Sequence, residues 1–423
     1  MTQISRIIVI LTSLSQYCFG QVYENFCIDE NIKTIELYNN GLSSENTKLN
    51  PAVRSLNGSD YLVLEFDDLS NTYKQFHIKL IYCDYKWNQA SVREIAYLAD
   101  FNDFVINDYS NSQSTKVPYY HYGFRVPDVK LSGNYVIQIF ESDVYGEPIA
   151  QRRFRVFDPK VGVAANVSRP IDNNFWRTHQ QVDFAITFGN YDVRNPRTEF
   201  LVEIRQNYRD DMISRDLKPS SVNLAKGEAN FRFFNNENLF PAGNEFRNLD
   251  IRSTFSQGNN VAEITQGFRD RAVITLQENR ARKVYLEQFD LNGRSAIATV
   301  DDFEAELNGD YLLTEIFYKD KELSGFEELF VVGGFNNFQP KSQDKCEFGE
   351  EDQVFRCTQL LKQGMHDFAF AKRMPDRSFN IQDQEGNFMD TGNAYEVFIY
   401  HLPPAGRVES LIGYFKIENS KSR

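Results

Sequence analysis

The chain has 423 residues, with 59 acidic against 46 basic residues and a formal net charge of −13. Such an acidic surface repels nucleic acid phosphates and anionic lipid headgroups, which disfavours nucleic acid binding and direct lipid insertion. Hydrophobic residues make up 41% of the chain, enough to bury sizeable cores, and the length predicts two or three domains. The abundance of Phe and Tyr favours β-strands.

Residues 1–20 have the pattern of a secretory signal peptide. An apolar run over residues 7–14 is too short to span a bilayer and fits the hydrophobic region of such a signal. Gly20 permits cleavage immediately after it. Tyr17 precedes Cys18, where a lipoprotein signal needs a small residue, so we expect no lipid anchor. The alternative is a poorly packed N-terminal strand.

The first domain is predicted over residues 22–158. Phe76, Ile78 and Leu80 alternate with polar residues, which indicates strands with one buried face. Short strands separated by turn residues are typical of a β-sandwich. The same alternation predicts a middle sandwich over residues 160–280.

Ordered short motifs in the first domain resemble the type IX secretion system plug protein family of the Bacteroidetes. The motifs, all in the family's order and spacing, are Phe66-Asp67-Asp68-Leu69, Cys83-Asp84, Trp87-Asn88, Tyr97-Leu98, Asp108-Tyr109-Ser110, His121-Tyr122, Ser132-Gly133-Asn134-Tyr135 and Arg153-Phe154. One departure is Ser112-Gln113-Ser114-Thr115, where the family pattern has Ser-Phe-Asn-Thr. We therefore expect an all-β chain of tandem immunoglobulin-like sandwiches.

The resemblance implies a non-enzymatic periplasmic protein. Its partner would be the outer-membrane translocon barrel of the type IX system, whose periplasmic opening it would block when no cargo is in transit. The protein would sit in the periplasm, attached to the outer membrane only through that partner, and would need no cofactor.

Two exposed loops of the first domain are candidates for the partner contact, since loops on rigid scaffolds often carry function. The first loop offers Tyr85, Trp87 and Asn88, and the second offers Tyr109 and Ser110. For Trp87 the alternative is an aromatic cap on the sandwich core.

The C-terminal domain, predicted over residues 281–420, resembles the early-set immunoglobulin-like modules that bind starch or glycogen. The resemblance rests on the turn Gly334 to Phe338 and a later strand. It motivates an alternative function, a periplasmic glycan-binding protein. Phe338 replaces the Trp that usually stacks on the sugar, so we favour a shared fold over shared binding.

Four cysteines follow the signal peptide. Cys346 and Cys357 flank an acidic turn, and a hairpin could join them as a disulfide in an oxidising compartment. The alternative is two small half-buried residues. The sequence leaves open whether Cys27 and Cys83 are paired or free.

The sequence contains no Gly-x-Ser-x-Gly elbow, no His-Glu-x-x-His and no phosphate-binding glycine-rich loop. Its five histidines have no ligand spacing. The acidic stretch 383–390 lacks the spacing of a calcium-binding loop and is interpreted as a β-turn. We therefore predict no catalytic, cofactor-binding or metal-binding residue.

Overall fold

The computed structural model describes residues 22–41, 47–406 and 408–419, so the predicted signal peptide lies outside the described residues. Strands make up 43% of the chain and helices 7%. Within the described residues the strands form six sheets, which pack in pairs around three large hydrophobic cores. The prediction of an all-β chain of sandwiches is confirmed.

The first sandwich packs the sheet β1-β10-β9-β5-β6, in which β3 also pairs with β10, against the sheet β2-β4-β8-β7. Its strands are β1 (Phe26–Cys27), β2 (Ile32–Asn39), β3 (Val53–Ser55), β4 (Leu62–Asp68), β5 (Phe76–Cys83), β6 (Phe104–Val105), β7 (Asp108–Asn111), β8 (Tyr120–Arg125), β9 (Gly133–Glu141) and β10 (Ala150–Phe157). A short helix α1 (Glu94–Tyr97) follows β5, and a 3-10 turn (Thr47–Leu49) precedes β3.

Period-two alternation places the apolar side chains of β4 and β5 between the two sheets. Leu64 and Phe66 from β4 meet Phe76 and Ile78 from β5, and each of these side chains is at most 1% exposed. Burying one such side chain contributes about 1.5–3 kcal/mol. These alternating residues therefore specify the first core.

The middle sandwich begins with the sheet β11-β12-β16-β15, to which β17 is added beside β12. The strands are β11 (Gly162–Ser168), β12 (His179–Thr187), β13 (Phe200–Gln206), β14 (Ile213–Arg215), β15 (Ser221–Asn223), β16 (Glu228–Phe231) and β17 (Leu239–Pro241). Helix α2 (Pro196–Glu199) leads into β13, and a 3-10 turn (Asn173–Phe175) precedes β12.

The third sandwich packs β19-β20-β23-β26-β25, with β21 beside β23, against β18-β27-β22, with β24 and β28 beside β27. Its strands are β18 (Arg247–Asp250), β19 (Val261–Thr265), β20 (Arg271–Ile274), β21 (Gln277–Glu278), β22 (Ser295–Ile297), β23 (Tyr311–Lys319), β24 (Leu329–Gly333), β25 (Glu347–Gly349), β26 (Val354–Lys362), β27 (Gly364–Arg373) and β28 (Phe379–Asn380). The short helices are α3 (Ala305–Asn308) and α4 (Gln382–Glu385), with 3-10 turns at Gly334–Asn336 and Ser342–Asp344.

The last two strands, β29 (Ala394–His401) and β30 (Ser410–Glu418), return to the middle sandwich. They complete its second sheet in the order β14-β13-β29-β30. Strands β18 and β20, which precede residue 280, pair instead with β27 and β23. Strand pairing thus crosses the predicted boundary between 160–280 and 281–420. We propose a middle sandwich of 162–241 with 394–418, and a third sandwich of 247–380 inserted into it.

Candidate functional site

The first predicted contact loop is folded inward. Trp87 is fully buried and Tyr85 is 4% exposed, while Asn88 is half-buried. The Trp87 ring lies beneath the guanidinium groups of Arg153 and Arg155, at 4.5 Å and 4.9 Å from its centroid. In this structure the loop therefore fills space inside the protein.

The same loop joins the first sandwich to the middle one. The Tyr85 hydroxyl donates to the Asp216 carboxylate, and its ring packs 5.6 Å from that of Tyr400 in β29. Asp84 shapes the turn by accepting from the backbone amide of Asn88 at 2.8 Å, as Asx-type turns do. Packing between the first and middle sandwiches thus explains the family motif at residues 83–88.

The second predicted contact, Tyr109 and Ser110, lies on β7 at the edge of its sheet. All four residues of β7 are exposed. Tyr109 is 44% exposed, and its ring lies 4.7 Å from that of Tyr73, which is 49% exposed. These two tyrosines form an accessible aromatic pair, so Tyr109 and Ser110 stay candidates for a partner contact.

The loop after β7 runs onto the third sandwich. The Gln113 amide donates to the Leu307 carbonyl at 2.8 Å, and Lys116 Nζ lies 2.6 Å from an Asp270 carboxylate oxygen. The exposed edge of the first sandwich is therefore continuous with one end of the third sandwich.

At that end, three loops of the third sandwich carry exposed apolar side chains. Phe255 is 76% exposed, Phe268 95%, Val300 62% and Phe303 fully exposed. We call the segments 252–257, 266–269 and 299–303 the phenylalanine loops. Clustered exposed apolar side chains of this size mark interaction sites, because water solvates them poorly.

Hydrogen bonds hold the phenylalanine loops together. Asp301 accepts from the Thr254 amide and from the Ser253 hydroxyl, each at 2.7 Å. Gln266 Nε2 donates to the Thr254 carbonyl at 3.4 Å. The exposed rings are thus presented by an ordered polar framework. Sequence reasoning missed them, because isolated Phe residues in polar loops have no periodic signal in a chain with 36 Phe.

A cavity of about 530 Å³ lies where the three sandwiches meet, a volume typical of small-molecule sites. Strands β2 and β10 line it on one side, the segment after β13 on another, and the turn from Gly334 to Phe338 on the third. No sequence pattern indicates this cavity, since its walls come from distant segments.

Comparison with known proteins identifies the first domain. Residues 32–158 match the family model described as the type 9 secretion system plug protein first domain. Residues 32–158 are a plug domain. No curated protein matches the chain.

A solved structure resembles nearly the whole chain. It is the crystal structure at 2.30 Å resolution of a hypothetical protein from Parabacteroides merdae ATCC 43184, which aligns with a TM-score of 0.86 at 25% sequence identity. The alignment covers 93% of this chain and 98% of that one. The arrangement of the three sandwiches thus occurs in a second, similar protein.

The turn that suggested glycan binding is covered. The Phe338 ring is half-buried, with the Arg209 guanidinium 4.1 Å from its centroid and the Phe246 ring at 5.6 Å. A sugar platform needs a flat exposed ring, so the turn does not offer one. It serves instead as a wall of the cavity beside the plug domain.

Asp290 and Asp367, two acids with raised pKa values, have structural roles. Burial, followed by the neighbouring charge of Asp367, raises the pKa of Asp290 to about 7. Asp367 itself accepts from the backbone amide of Gly293 at 2.9 Å and from Asn248 Nδ2 at 2.8 Å. These carboxyls hold the turn before β22, and no cluster of metal ligands accompanies them among the described residues.

Cys346 and Cys357 are joined as a disulfide, with their Cα atoms 4.2 Å apart. Cys27 and Cys83 are free thiols.

Among the residues that the structure describes, no helix is long and apolar enough to cross a membrane. The plug family belongs to a secretion system and is not a known enzyme family, so it links the chain to type IX secretion at the cell envelope.

Proposed function

We propose that this protein is a non-enzymatic periplasmic subunit that binds the type IX outer-membrane translocon barrel and closes its periplasmic opening when no cargo is in transit. The plug domain at residues 32–158 is the observation that carries this proposal. A pore wide enough for folded cargo leaks unless a body of comparable size fills it.

The packing between sandwiches supports such a body. Arg155 in β10 pairs with Glu203 in β13, and both side chains are at most 2% exposed. Tyr400 in β29 donates to Asn134 in β9 at 2.7 Å. Breaking a buried charge pair costs several kcal/mol, so the sandwiches hold one arrangement. A rigid block can close an opening without a ligand of its own.

The phenylalanine loops, together with the edge strand β7, form the contact surface in this proposal. In the proposed complex this surface contacts the periplasmic rim of the translocon barrel. Apolar rings on polar loops suit a reversible contact of modest area, since few rings supply most of the binding energy of such an interface. The acidic surface elsewhere keeps the protein from the lipid itself.

The decisive experiment is affinity capture from outer membranes. The tagged protein, shown to be folded by circular dichroism, is mixed with detergent-solubilised outer membranes of its own organism. We expect a very large barrel protein to be recovered and to co-elute as a stable complex. Failure to recover a barrel with folded bait would overturn the proposal.

A second measurement addresses closure. Cells that lack the protein are expected to take up a hydrophilic fluorescent dye too large for ordinary porins, and expression of the intact protein should restore exclusion. If the barrel is recovered but dye entry does not change, the proposed partner is supported and the proposed closing of the pore is rejected.

A further inference from the structure

The interdomain cavity is lined by an excess of cationic side chains, although the protein as a whole is acidic. Six of these cations have a carboxylate partner within 4 Å: Lys48, Arg153, Arg155, Arg205, Arg209 and Lys362. Their charges are neutralised within the protein, so they leave little attraction for a ligand.

Three further lining cations, Lys33, Arg152 and Arg294, have no carboxylate within 4 Å among the described residues. Of the four acids in the lining, Glu36, Asp210 and Asp211 are ion-paired. Asp344, the fourth, accepts from the Lys341 amide at 2.7 Å and from Gln359 at 3.1 Å. Among the lining residues, three cations but only one acid therefore lack an ion-pair partner within 4 Å.

Arg152 is the most informative of the three. It donates to the backbone carbonyls of Phe26 and Gln151, at 3.0 Å and 2.9 Å, which uses only one of its terminal nitrogens. Burial lowers the pKa of Arg152 to about 10, and no carboxylate offsets that cost. The Arg152 side chain is half-buried, and a partly desolvated guanidinium without a counter-ion is stabilised when an anion reaches it.

Arg294 and Lys33 stand on other parts of the wall. Arg294 donates to the carbonyls of Leu49 and Leu291 and stacks on the Tyr208 ring at 4.2 Å. Lys33 lies on β2 and is half-buried. The rim residues Gln339 and Gln343 are exposed, so the cavity opens to solvent.

We propose that this cavity is a binding site for a small anion that carries phosphate or carboxylate groups. Lys33 and Arg152 contact it from the plug domain, and Arg294 contacts it from the third sandwich. Apolar side chains such as Phe154 and Leu360 in the same wall accommodate a compact organic part. The proposal does not depend on translocon binding.

The test is isothermal titration calorimetry on the intact protein at constant ionic strength. The probes are sodium pyrophosphate and sodium citrate, with sodium chloride as the ionic-strength control and glucose as a neutral polar control. Saturable binding of either anion, without binding of glucose, supports the proposal. The anion that binds more tightly identifies the phosphate or the carboxylate class. If neither anion binds, the proposal is overturned.

Charge-removing variants locate the site. Arg152→Gln and Lys33→Gln should each weaken binding about tenfold, since a charge-assisted contact is worth that much. Lys33 makes no buried ion pair, so its variant should fold even if Arg152→Gln does not. The matched control is Lys226→Gln, on an exposed turn outside the cavity. Equal losses in Lys33→Gln and Lys226→Gln would show non-specific attraction and reject the site.

Discussion

Lys362 Nζ lies 2.7 Å from a carboxylate oxygen of Asp67, and each side chain is 1% exposed. This pair joins β26 of the third sandwich to β4 of the plug domain. His121 and the Tyr311 hydroxyl bond to the same carboxylate, each at 2.7 Å. Burial alone raises the pKa of Asp67, but Lys362 and then His121 outweigh it and hold that pKa below its ordinary value.

Replacing Lys362 should therefore destabilise the protein strongly. Lys362→Met leaves the Asp67 carboxylate buried without its main counter-ion, which costs about 3–5 kcal/mol. Urea unfolding followed by circular dichroism measures this loss. The control Lys345→Met removes an exposed pair with Glu328 and should cost less than about 1 kcal/mol. Equal losses of unfolding free energy in the two variants would mean that the buried pair does not stabilise the contact between the sandwiches.

The two tryptophans should report different environments. Trp87 is fully buried, whereas Trp176 is 49% exposed. The variant Trp176→Phe leaves only Trp87 and should emit at short wavelength with little acrylamide quenching. Trp87→Phe leaves only Trp176 and should emit at longer wavelength with strong acrylamide quenching. Trp87→Ala should cost about 3–5 kcal/mol, because a large cavity remains in the interior. Strong quenching in Trp176→Phe would place the first predicted loop at the surface after all.

The disulfide between Cys346 and Cys357 should contribute measurably to stability. A cross-link that closes a loop of this length restricts the unfolded chain by about 3 kcal/mol. The variant Cys346→Ser/Cys357→Ser should therefore unfold at lower urea concentration. Reducing agent should destabilise the native protein and leave the double variant unchanged. Four free thiols in the denatured, unreduced chain that begins at Gln21 would contradict the bond.

His366 should make stability fall in mild acid. Burial lowers its pKa from 6.5 to about 4. Nε2 donates to the Lys362 carbonyl at 2.8 Å and Nδ1 accepts from the Ser295 hydroxyl at 2.9 Å, which fits the neutral ring. The unfolded chain therefore binds a proton that the folded chain does not between pH 6.5 and 4, so stability decreases as pH falls through this window.

The variant His366→Gln isolates that effect, because its side chain does not titrate. The native protein should lose about 3 kcal/mol relative to the variant between pH 7 and pH 4. Comparing the two unfolding curves removes the contribution of the acids, several of which titrate in the same range. Parallel curves for the two proteins would show that the pKa of His366 is the same in the folded and unfolded states.

The phenylalanine loops should matter for binding and not for stability. The triple variant Phe255→Ser/Phe268→Ser/Phe303→Ser removes rings that are at least 76% exposed, so the free energy of unfolding should change by no more than about 0.5 kcal/mol per site. Capture of the translocon barrel should fall at least tenfold. Phe326→Ser, which removes a ring that is 97% exposed on another loop, is the matched control. Undiminished capture by the triple variant would exclude this surface.

Local alternation made the individual strands predictable. Phe76, Ile78 and Leu80 face the core as their spacing indicates, because side chains in a strand alternate between its two faces. The sequence left two positions open for Trp87, since a Trp in a polar turn suits either a surface contact or a core. Its burial depends on Arg153 and Arg155, which belong to another strand.

The arrangement of the sheets could not be predicted from local sequence patterns. No sequence period tells that β13 pairs with β29 across the whole third sandwich. The cavity depends on the same long-range packing, because Lys33, Arg152 and Arg294 come together only when the first and third sandwiches dock. That these residues lack an ion-pair partner within 4 Å is visible only once every nearby carboxylate has been placed.

The closing of the middle sandwich by its last two strands affects how the protein is made. A ribosome delivers residues 162–241 long before residues 394–418, so half of that module waits with its apolar face uncovered while the inserted third sandwich is synthesised. A premature stop or a protease cut near the C-terminus would therefore dismantle the centre of the molecule and spare its far end. Completion of the middle sandwich thus depends on the synthesis of the hairpin formed by β29 and β30.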